Sequence, residues 1–136
     1  RVLLRSAKIR TGSFTSTDIE LQSVEMDGSL TQTPEFPYNW MYDGSRPQMP
    51  GFEMEITCKS LFLIFKDSGE MDVGKADVFV NDVYCMTADP HKNNWLHCNA
   101  VLLFWETESR SHKVRITVTE EDQNKKFTIL GFGYTI

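Results

Sequence analysis

Residues 76–86 read Ala76-Asp77-Val78-Phe79-Val80-Asn81-Asp82-Val83-Tyr84-Cys85-Met86. Two runs of β-branched and aromatic residues flank Asn81-Asp82. Both turn residues tolerate the positive φ that a two-residue hairpin requires, so the stretch predicts a β-hairpin. A hairpin commits its two strands to antiparallel pairing, and the chain on either side repeats the same vocabulary.

Upstream, Phe52–Thr57 alternates as Phe-Glu-Met-Glu-Ile-Thr, the period of a strand with one buried face. Lys59-Ser60 reads as a break, after which Leu61–Phe65 is a continuous apolar run suited to a core strand. Arg1–Ile9 opens as another apolar run and stops near Thr11-Gly12-Ser13. Downstream come Ala100–Trp105, the alternating Lys113–Thr119, and Phe127–Ile136, where Gly131 and Gly133 mark a bulge or a close backbone approach. No segment carries a capped 3.6-residue stripe. About eight short strands with turns at this spacing predict an all-β chain, an antiparallel β-sandwich of jelly-roll type. Trp105 and most of the nine phenylalanines are expected in its core. Residues 26–51 stand apart as a long irregular segment, with Pro34, Pro37, Pro47, Pro50 and three glycines. Loops of that length usually carry function.

Composition narrows the function classes. The 136 residues suit one domain, 1–136, and the missing initial methionine points to an excised module or a processed product. A net charge of −5, from 14 basic and 19 acidic residues, disfavours nucleic acid and anionic membrane as partners. No apolar run approaches the length of a membrane helix. Three cysteines leave at least one unpaired. A Cys85–Cys98 bridge needs adjacent strands, and the plainer reading makes all three small buried hydrophobes.

The stretch Asp89-Pro90-His91-Lys92-Asn93-Asn94-Trp95-Leu96-His97-Cys98-Asn99 gathers the reactive residue types. Its histidines and thiol lack the paired ligand spacing of zinc sites. His97 and Cys98, adjacent on a strand, would face opposite ways and make a poor nucleophile–base pair. No G-x-S-x-G elbow occurs, so no catalytic residue is assigned. Calcium, which needs only carboxylates and carbonyls, has Asp18, Glu20, Glu25 and Asp27 near loops; exposed surface charge explains these more simply.

The aromatics say more. Tyr38, Trp40 and Tyr42 fall at i, i+2 and i+4, so an extended backbone projects all three to one side about 7 Å apart. Asn39 and Asp43, with Asn93, Asn94 and Asn99 from the second loop, supply directional hydrogen bonds. An apolar face beside amides is what a neutral polyol needs. Packing in a sandwich end explains Trp40 and Trp95 equally well.

Several stretches together resemble one family: FPYNWMYDG (36–44), ITCKSLFLIFKDSG (56–69), KADVFVNDVYCMTADP (75–90), NNWLHCNAVLLF (93–104), HKVRITVTEED (112–122) and FTILGFGYTI (127–136). The set is similar to the non-catalytic β-sandwich domain attached to SGNH/GDSL-type hydrolases and carbohydrate esterases of gut and cellulosome-forming clostridia. The hairpin departs from the family's Val-Asp-Gly, reading Val80-Asn81-Asp82, which keeps the turn chemistry. The catalytic serine block has no counterpart. The resemblance implies an extracellular, monomeric carbohydrate-binding module with a catalytic domain in cis and plant cell-wall polysaccharide as partner. Trp40, Trp95, Tyr38 and Tyr42 would stack, and Asn39, Asn94, His97 and Asn99 would read hydroxyls, with no cofactor expected and a structural calcium left open. The rival is a structural domain packed on its catalytic neighbour. Exposure of Trp40 and Trp95 separates the two.

Overall fold

A computed structural model describes residues 7–19, 22–24, 30–34, 38–92 and 98–136. The predicted hairpin is present: β6 (Ala76–Val80) pairs with β7 (Val83–Ala88) around Asn81 and Asp82, at φ of 52° and 66°. Both turn residues adopt the left-handed conformation, which matches the right-handed twist of the flanking strands. Seven strands form one antiparallel sheet in the order β4 (Trp40–Tyr42), β9 (Phe127–Thr135), β5 (Phe52–Lys66), β8 (Cys98–Val118), β6, β7, with β1 (Lys8–Arg10) also on β5. Strands β2 (Gln22–Val24) and β3 (Leu30–Pro34) pair separately. Among the described residues no helix is long and apolar enough to cross a membrane.

The long strands β5 and β8 turn this sheet into a sandwich. Phe52 lies eleven positions before Leu63 on β5, roughly 36 Å away if the strand were straight. Yet Phe132, the cross-strand partner of Leu63, stacks on Phe52 with ring centroids 5.8 Å apart. The strand therefore folds over, and β5 and β8 serve both layers. The bend falls at the Lys59-Ser60 break: Cys58 pairs with Arg110 and Ser60 with Trp105, so two steps along β5 match five along β8. What reads as two strands on each side of a break is one bent strand with a bulge.

A polar network sets the bend. His112, buried at 3%, accepts from Asn81 Nδ2 at its Nδ1 and so donates from Nε2 to Glu106, which also takes Arg110. Asn81 Oδ1 accepts the Lys113 amide, tying the hairpin tip to β8. Phe104 covers the imidazole at 4.1 Å.

The core between the layers holds Phe14, Tyr42, Phe52, Met54, Ile56, Leu61, Leu63, Val78, Val114, Ile116, Phe127 and Ile129. Cys58, Cys85 and Cys98 are all free thiols, so the Cys85–Cys98 bridge is not made. Burial raises the pKa of Cys58 and of Cys85, whose Sγ meets the Leu103 carbonyl.

Two further expectations are corrected. Trp105 is 82% exposed, on the same outer face as the exposed Phe62 and Leu102. The 26–51 segment is less irregular than its prolines suggest, since β4 lies within it and pairs with β9. The bulge expected near Gly131 is present, where the register of β9 on β5 shifts between Gly131 and Ile129.

Candidate functional site

The predicted binding segment sits at one margin of the sheet. Residues 13–18 run antiparallel to β4, with Ser16 and Met41 exchanging backbone hydrogen bonds at 3.0 and 2.7 Å. Gly12 allows the chain to enter: its φ is +54°, and a Cβ there would lie 2.1 Å from the Pro50 carbonyl oxygen. The amide of Asn39 accepts from the Asp18 N–H at 2.8 Å and donates to the Asp18 carbonyl at 3.3 Å, fastening the far end. Asp43 accepts from the hydroxyls of Ser16 and Ser45 and from the Ser45 amide. Those bonds favour its charged form and hold its pKa at about 2.

Between these strands and Tyr38 lies a shallow trough of about 320 Å³, lined by Thr11, Thr15, Ser16, Thr17, Tyr38 and Trp40. The three predicted rings do not share its surface. Tyr42 is 1% exposed in the core, and its hydroxyl donates to the Gln123 carbonyl at 2.6 Å. Trp40 is half-buried, 5.2 Å from Phe52 and 6.3 Å from Phe132 between ring centroids. Tyr38, beyond the strand, is 70% exposed. The two-residue period holds, but its direction is inward: Trp40 and Tyr42 pair with the buried Ile129 and Phe127. Asn39 is buried at 5% and spends its amide on Asp18.

In the second loop, Asn93, Asn94, Trp95 and His97 lie outside the described residues, as do Glu20, Glu25 and Asp27. Asn99 donates to Asp67 at 2.8 Å. His91 Nε2 donates to the Glu70 carbonyl at 2.7 Å. Asp18 is 6% exposed and bonded to Lys66 and Thr128. Among the described residues no group of three or more His, Cys, Asp or Glu side chains is placed to hold a metal ion.

Sequence reasoning missed the hydroxyl side of the trough, although Thr11-Gly12-Ser13-Phe14-Thr15-Ser16-Thr17 displays it openly. It also missed an exposed apolar strip on the outer face. There Phe62 (41% exposed) pairs with Leu102 (49%) on one side and Gly133 on the other, with Trp105 two pairs further along. The signal was phase: within the apolar run Leu61–Phe65, Phe62 alternates outward.

The sequence matches no protein-family model and no curated protein. In structure it is similar to an acetyl xylan esterase (Est2A) from the rumen bacterium Butyrivibrio proteoclasticus, with a TM-score of 0.51 at 13% identity over 93% of this chain and 28% of that one. It is also similar to a two-domain esterase (CEX) active on acetylated mannans, crystallised with mannopentaose. There the TM-score is 0.58 at 12% identity, over 97% of this chain and 35% of that one. The chain spans about a third of the length of these proteins, and the likeness is one of fold.

Proposed function

We propose that this domain is a non-catalytic carbohydrate-binding module that holds a carbohydrate esterase on plant cell-wall β-glycan outside the cell. The observation that carries the reading is the Tyr38 ring, 70% exposed beside a trough of threonine and serine hydroxyls. A sugar presents an apolar ring face and a hydroxyl rim, which match an exposed aromatic flanked by small hydroxyl groups. Trp40 forms the wall, with Phe52 and Phe132 behind it. Trp95, Asn94, His97 and Asn99 enter this proposal from the sequence, as a second wall. The net charge of −5 favours neutral over acidic polysaccharide. The fold's occurrence within esterases named for xylan and mannan substrates makes those two polymers the first to try.

A second reading has its own observation. The strip of Phe62, Leu102 and Trp105 leaves large apolar side chains in water, as a surface that packs on a neighbouring catalytic domain would. The test is affinity electrophoresis of this chain through xylan, mannan, glucan, xyloglucan and pectin gels, with and without EDTA. Retardation by a neutral polymer that Tyr38→Ala weakens roughly tenfold supports the module, one ring contact being worth more than about 1 kcal/mol. No retardation of a folded sample gives the second reading. Loss of binding in EDTA alone identifies a calcium requirement.

A further inference from the structure

On the other side of the 17–18 segment from the trough is a deeper cavity of about 400 Å³. That is near the lower end of the roughly 300–1,000 Å³ typical of small-molecule sites. Its distinguishing feature is a buried ion pair in the wall. Lys66 Nζ donates to Asp18 Oδ2 at 2.8 Å, with the two side chains 19% and 6% exposed. Thr128 donates to the same oxygen at 3.1 Å. Three distant parts of the chain thus converge: the segment beside β4, the end of β5 and the start of β9. Asp72 and Lys126 form a second, looser pair at 3.5 Å in the lining, and Glu70 adds a third carboxylate. Val73 and Phe127 supply apolar wall.

This charge pattern selects the occupant. Among the described residues, an anion would meet three carboxylates against two ammonium groups, each ammonium already beside a carboxylate. A purely apolar molecule would strip water from the Asp18–Lys66 pair without replacing its hydrogen bonds. A hydroxyl both donates and accepts, so it can meet a carboxylate and an ammonium at once and leave neither unsatisfied. Several hydroxyls on one small ring suit a site of this size.

We infer that the cavity lined by Asp18, Lys66 and Thr128 is a second ligand site, which takes one or two rings of a neutral sugar at the end of a chain. The trough at Tyr38 would hold the run of the polymer, and the cavity its terminus. The inference rests on the carbohydrate reading above only for its ligand class.

The test is an NMR titration of this chain with D-glucose, D-xylose, D-mannose, their β-linked di- and trisaccharides, and D-glucuronate. The expected result is saturable shifts of the Lys66 and Thr128 amides with one of the neutral sugars. The trisaccharide should bind no more than about threefold tighter than the disaccharide, since rings outside the cavity bury little further contact. Glucuronate should bind at least about tenfold more weakly than glucose, because Lys66 and Lys126 are already beside carboxylates. Lys66→Met should abolish the shifts. Because that change strands Asp18 without its cation, Thr128→Val is the companion variant, expected to weaken binding several-fold while keeping the pair. Shifts confined to Tyr38 and its trough overturn the cavity site and leave the module standing. Glucuronate binding as well as glucose overturns the charge argument and the site with it. No shift with any sugar, together with no gel retardation, overturns both proposals.

Discussion

Trp40 and Trp105 are both strand tryptophans, and they meet opposite surroundings. Trp40 pairs with Ile129, whose side chain is wholly buried, and leans on Phe52 and Phe132. Trp105 pairs with Ser60 and, on the outer face with Phe62 and Leu102, stands 82% in water. The composition around them points the other way, since Trp40 follows Pro37 and Asn39 while Trp105 ends the run Val101-Leu102-Leu103-Phe104. What decides burial is the side of the sheet a position falls on. That side is inherited from the cross-strand partner, not from the chain neighbours.

The largest way to break this contrast is to truncate each ring and measure urea unfolding. Trp40→Ala should cost about 3 kcal/mol, the low end for a large aromatic in a core, because the ring is only half-buried. If it costs less than Trp105→Ala, the orientation of β4 is wrong.

Next in size comes a comparison of two glycines. Gly12→Ala places a methyl on the Pro50 carbonyl at a positive φ, and should destabilise by about 2 kcal/mol. Gly131→Ala enters open space and should change stability by at most about 1 kcal/mol, in the stabilising direction. Equal effects at the two sites would contradict the described backbone.

A smaller effect separates the two margins by pH. Asp43 has its pKa lowered from 3.8 to about 2 by the Ser16 and Ser45 bonds. A depressed carboxylate contributes stability that is present above the unfolded value and lost as pH falls through the folded one. The urea midpoint should therefore drop between about pH 4 and pH 2, and Asp43→Asn should flatten that share of the drop. Asp122, lowered mainly by the Lys75 amide, and Glu106, held at about 2 by Arg110, add to the same limb.

Smallest of all, Trp105→Ala should shift stability by no more than about 0.5 kcal/mol in the isolated chain, as surface changes do. Coupled with Phe62→Ser, it should lower binding of an apolar dye without altering the unfolding midpoint. An unfolding effect as large as that of Trp40→Ala would mean the strip is packed.

The residues legible in advance were those whose role is local. Asn81-Asp82 set a turn because both accept positive φ, and the Phe52–Thr57 alternation set a strand with one wet face. From these the all-β, antiparallel class followed. The site was legible only in part. Tyr38 is exposed as expected, while Tyr42 and Asn39 are buried, because alternation fixes that two faces differ and says nothing about which one is covered.

The sequence by itself thus determined the strand pattern, the hairpin and an interruption at Lys59-Ser60, since each depends on φ preferences and neighbours within a few residues. Only the tertiary structure decided that this interruption is a bend carrying β5 and β8 into both layers, that Trp105 faces out and Trp40 in, and that Asp18, Lys66 and Thr128 meet. Lys66 and Thr128 lie 48 and 110 positions from Asp18 along the chain. Their meeting depends on the order and register of strands far apart in sequence, which no local pattern encodes.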